Sequence, residues 1–456
     1  MKTLFTAVTM LTCFLLLLAG SAMAKGIIIT PGTRANAMGA AFVAVADDAT
    51  AMYWNPAGLA QQKKSGAQVY SFYLSDNAKS NRSLNSADFS LTSAPDSKGG
   101  DFPLPRVYTT EPTSYSAKEL KTSAFLPFAG AFTTVKDFTL GISYYGVGGG
   151  GGKWDDTVAA AFGADSLSAS VDALYTFSIF NISVAKQINP RLSAGVGVDV
   201  VQMTDDLKVN KAYQKGPLSP LGALTDYSLN YKTSAKGTAF QFIGGILYKP
   251  IENLKTGFVF RSGTNIKLSG KGTYNQTGLA GLAGLGYPAA VVQNMAFETN
   301  YDKNYAYPLS CGIGVAYEAT PVLTLAAGID RFNYSSLKDE ITYNTQLPGI
   351  FMNTNTDAGW KDVTAYRIGA EYRVNGKLAF QGGIQNDPVP FSTDKLTLLE
   401  INQYDFTYLC IGASYKISAF DLSASYGRGL GDKPSKAGAE YEYPVNAYRL
   451  TANYEF

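Results

Sequence analysis

From Tyr448 to the last residue the chain alternates: Tyr448, Leu450, Ala452, Tyr454 and Phe456 are apolar or aromatic, and Arg449, Thr451, Asn453 and Glu455 between them are polar. A period of two places the two sets on opposite faces of a strand. About fourteen such runs recur, near residues 65–75, 122–135, 138–147, 174–188, 191–206, 229–249, 254–268, 302–318, 322–336, 361–374, 377–386, 404–417, 420–428 and 443–456. Their joints alternate in length. Lys136-Asp137, Asn189-Pro190, Pro250 to Asn253, Thr320-Pro321, Asn375-Gly376 and Ser418-Ala419 are short. The connections 75–121, 148–173, 207–228, 269–301, 337–360, 387–403 and 429–442 are long. Asn375-Gly376 predicts a type I′ hairpin turn, with positive φ at both central positions. An even number of strands joined alternately by short turns and long loops is the pattern of a transmembrane barrel, and a soluble sandwich has no reason to sort its connections this way. The fold class expected is all-β transmembrane: a 14-stranded antiparallel outer-membrane β-barrel.

The start of the chain reads as an export signal: Lys2, an apolar run from Leu4 to Ala19, and Ala22-Met23-Ala24 as a small-residue cleavage site. Residues 1–24 are therefore expected to be removed, and Ser21 stands where a lipidated cysteine would be needed. After residue 24 no run is apolar and long enough for a membrane helix; 278–296 comes nearest but is interrupted by Gly281, Gly284, Gly286, Pro288 and Gln293. A net charge of +2 argues against a nucleic-acid partner.

The chain contains no histidine, which removes Ser-His-Asp and Cys-His catalysis and imidazole metal sites. Gly148 to Gly152 lacks the Lys-Ser/Thr of a phosphate loop. Asp205 and Asp206 are neighbours in a strand, so they face opposite ways and make a poor acid–base pair. No enzyme activity, cofactor or metal is expected. Cys311 and Cys410 have opposite facing by parity, which argues against a disulfide.

One segment breaks the pattern. From Gly32 to Gly58 the chain is rich in alanine and cut by Gly32, Gly39 and Pro56, which predicts two or three short helical turns small enough to fit inside something. Asn55-Pro56 is a turn signal that fixes its end. The run from Met38 to Ala49, with Asp47-Asp48-Ala49, followed by Asn55-Pro56-Ala57-Gly58, resembles the N-terminal hatch of the FadL/TodX family of outer-membrane transport proteins for long-chain fatty acids and aromatic hydrocarbons. The terminal strand ending on Phe456 resembles the signal read by the barrel-assembly machinery.

The resemblance implies a hatch over residues 25–62 filling the lumen of a barrel over 63–456, in the outer membrane of a Gram-negative cell, usually as a monomer. It implies uptake of hydrophobic compounds, with long-chain fatty acids the leading class. An apolar groove on the third and fourth external loops would capture the substrate, and Leu218, Leu221, Leu224, Leu282, Leu285 and Val292 fall there. A kinked third strand would open the wall toward the membrane; the glycine run marks either the top of such an opening or a slack external loop. Asp47, Asp48, Asn55, Pro56 and Ala57 belong to the hatch, and Ile27-Ile28-Ile29 is apolar enough to occupy a lumenal pocket. Arg261 and Arg367 have lumenal parity and are candidates for a carboxylate; pairing with Glu371, Asp199, Asp47 or Asp48 is the structural alternative. Partners expected are a fatty acid or other hydrophobic small molecule, outer-membrane lipid and lipopolysaccharide, and the assembly machinery. Three other readings remain open: an aromatic-hydrocarbon transporter on the same fold, a structural or secretion-associated barrel whose loops bind proteins, and an open porin.

Overall fold

The computed structural model describes residues 30–80, 118–159, 166–214, 226–278, 293–336, 338–347, 350–357, 360–390, 405–431, 435–436, 439–442 and 445–456. Six long strands come first: β1 (Gly66–Ser80), β2 (Lys118–Val135), β3 (Phe138–Ala159), β4 (Ser166–Asn189), β5 (Leu192–Gln214) and β6 (Tyr227–Ile251). Four strands follow in two pieces each: β7 (Leu254–Arg261, Thr264–Thr277), β8 (Met295–Tyr307, Leu309–Thr320), β9 (Leu323–Asn333, Lys338–Tyr343) and β10 (Thr354–Asp357, Val363–Arg373). The last are β11 (Leu378–Asp387), β12 (Phe406–Ile417), β13 (Phe420–Gly431) and β14 (Val445–Glu455). Each pairs antiparallel with its neighbour, and β14 closes on β1 from Gly66↔Glu455 to Asp76↔Val445. Closure matters because lipid offers no partner to an unpaired N–H or C=O. The fourteen strands coincide with the fourteen alternating runs.

The strands run farther outward than the alternation does. The β4–β5 ladder continues to Ser166↔Gln214, well past the alternating stretch. Beyond the bilayer both faces of a strand meet water or loops, so the polarity signal fades while the ladder persists. The glycine run is therefore not a loop: Gly148 to Gly152 lie within β3, paired with Phe177 to Ala173 of β4.

The turn at Asn375-Gly376 also differs from expectation. Neither residue has positive φ. The Asn375 side-chain carbonyl instead accepts from the Lys377 and Leu378 amides at 2.8 and 2.9 Å, an Asx turn that satisfies the reversal without left-handed backbone. Positive φ appears in the two-residue turns at Lys136 and Ser418.

Side chains sort by parity. Phe240, Ile368, Ile411 and Leu450 point outward and are 62–65% exposed, as a lipid-facing band requires. Arg367, Glu371, Gln381, Arg449 and Thr451 point inward and are buried. Cys410 is buried inward, and Cys311 shares the face of the exposed Leu309 and Ile313.

Residues 30–62 lie against this inner wall. They form α1 (Thr33–Ala37), α2 (Ala51–Trp54) and a 3-10 turn, Pro56–Gln61. Pieces this short cannot hold themselves, so side chains bind the backbone. Asn36 Nδ2 donates to Thr30 O and Gly32 O at 2.8 and 2.7 Å. Trp54 Nε1 donates to Pro31 O at 2.9 Å. Asn55 Nδ2 donates to Val43 O within the segment and to Ile246 O of β6, at 3.0 and 3.1 Å, while its Oδ1 caps the 3-10 turn at Ala57 N. The wall makes room with small residues: side chains at Gly369 and Gly383 would collide with the backbone at Met38 and Gly39.

Ile368→Arg puts a charge on the lipid face of β10. Urea unfolding of the bilayer-embedded barrel is expected to show a loss of about 2–4 kcal/mol; an unchanged unfolding free energy would contradict that facing.

Candidate functional site

The segment is bolted to the wall by charge. Arg34 Nε and Nη2 donate to the two oxygens of Glu371 on β10 at 2.5 and 3.0 Å, and Nη1 donates to Asp47 at 2.5 Å. Glu371 also meets Arg373 at 3.0 Å. The pairing that sequence reasoning assigned to Arg261 or Arg367 with Asp47 or Glu371 is thus made by Arg34. Burial lowers the affinity of the Arg34 guanidinium for its proton, but the two carboxylates more than offset this and hold it well above its ordinary value. Asp48 takes another role: its Oδ1 accepts from the Thr50 amide and hydroxyl at 2.8 and 2.5 Å. Burial first, and then the charge of Asp47, push its carboxyl up to about 6. Asn55 and Pro56 set the 3-10 turn, and Ala57 supplies its capped amide.

Arg261 and Arg367 both face the lumen, and both already have partners. Arg367 binds Asp330 of β9 through Nε and Gln385 through Nη1, the latter at 2.9 Å, with its guanidinium 5.8 Å from the Trp54 ring centroid. Arg261 donates to the Tyr53 carbonyl of α2 and lies 4.6 Å from the centroid of the Tyr53 ring. Asp199 lines the same small cavity, along with Tyr145, Tyr307 and Gln241. Lys255 donates to Gln61 Oε1 at 2.9 Å, a further tie between wall and segment.

The lumen has two sides. Along β10 to β14 and β1 the buried residues are mixed: Gln381, Ser414, Ser423, Thr451 and Gln68 are polar, and Tyr70, Phe72, Phe406, Val445 and Ala447 are apolar or aromatic. Along β4 to β9 they are largely apolar, among them Ile179, Met203, Val259, Ile266 and Leu268. These residues belong to one contiguous apolar cluster, which also takes in Phe72, Phe406 and Ala447 and reaches from Trp54 and Tyr53 on the segment to Tyr301, Tyr343 and Phe351 at the outer mouth. Aromatic contacts link it: Tyr53 to Tyr145 at 5.8 Å, and Phe177 to Tyr305 and Tyr307 at 5.3 and 5.6 Å.

Among the described residues, the longest interruption of the wall lies between β2 and β3. The β2–β3 ladder runs from Val135↔Phe138 to Phe128↔Tyr145 and ends there. Beyond that rung, among the described residues, β2 pairs only with β1 and β3 only with β4. The register of β3 shifts between Gly146 and Gly148, and Gly148 takes φ 148°, which favours glycine. Pro127, which has no N–H to give, is the next β2 residue past the last rung. The stacked rings of Phe128 and Tyr145, 5.8 Å apart, form the sill.

Leu218, Leu221, Leu224, Leu282, Leu285, Val292 and Ile27 to Ile29 lie outside the described residues. Sequence reasoning missed Arg34, Asp330, Tyr53 and Phe351. Strand parity alone would have faced Asp330 into the lumen beside the strand of Arg367, but nothing local marks the other three.

A closed barrel of this size, with an apolar lumen and an interrupted wall, is the architecture of an outer-membrane transport channel for hydrophobic compounds rather than of an enzyme. The chain belongs to the outer membrane protein transport family OMPP1/FadL/TodX, whose sequence profile matches residues 15–431. It is therefore a Gram-negative outer-membrane protein and a channel for hydrophobic compounds. Among solved structures, it resembles a Pseudomonas aeruginosa FadL homologue (TM-score 0.67, 16% identity, covering 96% of this chain and 100% of that one). It also resembles the Pseudomonas putida toluene transporter TodX (TM-score 0.65, 15% identity, 96% and 100% covered). In sequence it is similar to alkane uptake protein A of Marinobacter nauticus, 26% identical over 121 residues, a match spanning 26% of this chain and 25% of that protein.

Arg34→Ala takes the bidentate partner from the buried Glu371 carboxylate, which among the described residues keeps only Arg373 and Gln381, and breaking one partner out of a buried pair costs up to about 3–5 kcal/mol. The variant barrel is expected to melt lower and to show ion conductance in planar bilayers where the parent stays closed; equal melting and a closed variant would contradict the bolt. Asp48 binds its proton more tightly in the native protein than in the unfolded chain, whose carboxyl titrates near about 4. Its contribution therefore falls as pH rises through the interval up to about 6. Protection from hydrogen exchange around residues 47–52, taken relative to the intrinsic exchange rate at each pH, is expected to fall over that interval, and Asp48→Asn to remove the fall.

Proposed function

We propose that the protein carries uncharged hydrophobic molecules passively from the outer face along the apolar side of the lumen to the β2–β3 break, and from there sideways into the membrane. The observation that carries this reading is the continuity of the apolar cluster from Phe351 down to Tyr145 and Tyr53, beside that break. Removing apolar surface from water supplies the driving force, about 25 cal/mol per Å². A neutral substrate asks for no free cation, and the two arginines beside the segment are engaged: Arg367 is held by Asp330, and Arg261 sits beside Asp199 and binds the Tyr53 carbonyl, while Arg449 lies over the Phe72 ring.

A long-chain fatty acid is the second reading. What favours it is that Arg261 donates to a neutral carbonyl, not to a carboxylate, so an anionic head group arriving there would gain a stronger hydrogen bond than it displaces. In either reading Leu218, Leu221, Leu224, Leu282, Leu285 and Val292 form the first apolar contact outside, and the chain around Ile27 to Ile29 moves as ligand arrives. The same proposal takes residues 1–24 as a removed export signal, the Phe456 strand as the mark for barrel assembly, lipopolysaccharide as the surrounding lipid, and a monomer as the working unit.

A fluorescent long-chain fatty acid bound to the refolded barrel, competed with oleate and toluene, separates the readings. Displacement by toluene, with Arg261→Gln leaving affinity unchanged, is the expected result. Displacement by oleate alone, with Arg261→Gln weakening it about tenfold or more, would establish the fatty-acid reading instead. No saturable binding would contradict both and direct attention to a protein partner at the loops.

A further inference from the structure

The outer mouth contains an aromatic site that the reading so far does not use. On the extended parts of β6, β7 and β8, Tyr231 stands opposite Tyr274, and Tyr274 opposite Phe297, so three rings form one row across three strands. One inward step toward the membrane, the next row is Thr233, Gly272 and Thr299. Below that, Tyr301 of β8 stands opposite Tyr343 of β9. Two aromatic shelves thus flank a shallow row with a glycine at its centre.

A ring fills the space between them, and it does not come from the wall. The connection after β9 folds back, and Phe351 inserts until it is fully buried. Its ring lies near-parallel to Tyr231 (5.2 Å, 29°) and Phe297 (5.9 Å, 26°) and tilted on Tyr343 (5.1 Å, 47°). Gly272 is the floor: a Cβ there would come within 2.7 Å of the Phe351 ring. Glycine weakens a strand and is expected where another group must approach closely.

The loop that brings Phe351 is largely closed on itself. Leu347 and Phe351 exchange both main-chain bonds at 3.0 and 2.8 Å, and Gln346 Oε1 accepts from Asn353 N at 3.2 Å. Among the described residues its polar ties to the wall include Asn344 N to Asn300 O, Thr345 N to Thr299 Oγ1, and Tyr343 N to the Asn353 side chain. The internal bonds of the loop survive if the ring withdraws. The ring, by contrast, occupies a place shaped for a flat apolar group and continuous with the apolar side of the lumen.

We propose that the slot formed by Tyr231, Phe297, Tyr343 and Gly272 is an entry site for a ligand bearing an aromatic ring, and that Phe351 is its resident competitor, displaced when such a ligand binds. Near-parallel rings on two sides select a flat group over a branched one, because offset stacking holds a planar ring through its whole face. An external loop that lends its own ring keeps this apolar site covered when no ligand is present, which limits exposed apolar surface at the cell exterior. The proposal rests on the uptake reading and adds an aromatic preference at the mouth.

The test uses the full refolded barrel and a photoreactive phenyl azide, with labelled residues mapped by mass spectrometry and toluene as competitor. Wild type is expected to label Tyr231, Phe297 or Tyr343 saturably and to lose the label to toluene. Phe351→Ala should label the same residues at a concentration about tenfold lower, and Phe351→Trp, which overfills the slot, should need more probe. Heat-dependent migration on a gel confirms that each variant has folded. Absence of label at these residues in wild type, or an unchanged concentration dependence in folded Phe351→Ala, overturns the proposal. Toluene uptake into liposomes, measured on the same samples, keeps the two readings apart: labelling without uptake leaves the site standing and removes the transport reading.

Discussion

Every strand in lipid must give its backbone hydrogen bonds to another strand, and the rest of the molecule follows from that constraint. It forces fourteen strands to close, β14 on β1, and it fixes a lipid-facing residue at every second position. It also makes any interruption costly. The one long interruption among the described residues falls between β2 and β3, where a register shift, a glycine run and a proline coincide. Each of these residues weakens ordinary pairing, and their convergence at one rung keeps a stretch of wall open without loosening its neighbours.

The lumen resolves a second constraint. A segment of short helical pieces has no stability of its own, so it must be held by the wall, and the means differ by side. Toward β10 it is held by charge, through Arg34 between Glu371 and Asp47. Toward β6 and β7 it is held by hydrogen bonds donated to main-chain carbonyls, from Asn55 to Ile246 O and from Arg261 to Tyr53 O. The ties and the apolar path share β6 and β7: Asn55, Arg261 and Lys255 hold the segment there, beside the apolar cluster that runs from Phe351 to Tyr145 and Tyr53. The charged tie through Arg34 lies on the β10 side, so a ligand moving along the cluster passes the hydrogen-bonded ties and not the buried ion pair.

Much of this was readable in the residues, for a physical reason. A strand between lipid and lumen shows its facing in each pair of neighbours, so Ile368 and Leu450 outside, and Arg367 and Arg449 inside, follow from parity alone. The signal ends where the bilayer ends. The outer halves of β4 and β5 looked like loops because water on both faces removes the alternation, and Gly148 to Gly152 looked slack because a ladder bonded on one side leaves no pattern in glycine. Asn375 misled in another way: its side chain does the work that positive φ does in a type I′ turn. Partners were harder than facing. Arg367 and Asp330 sit on different strands at a register no local pattern fixes, and Phe351 reaches its slot from a loop whose path no periodicity describes.

The account stands on the β2–β3 break being the way out. Pro127→Cys with Gly146→Cys places a thiol on each lip, just past the last shared rung, in a barrel whose own Cys311 and Cys410 are replaced by serine. Oxidation should stitch the lips together. Uptake of a labelled hydrocarbon into liposomes is then measured before and after reduction. The account predicts uptake that is lost on oxidation and restored by reductant, with the segment still seated and the barrel closed to ions throughout. Undiminished uptake through the stitched wall would contradict it and place the exit at the periplasmic end.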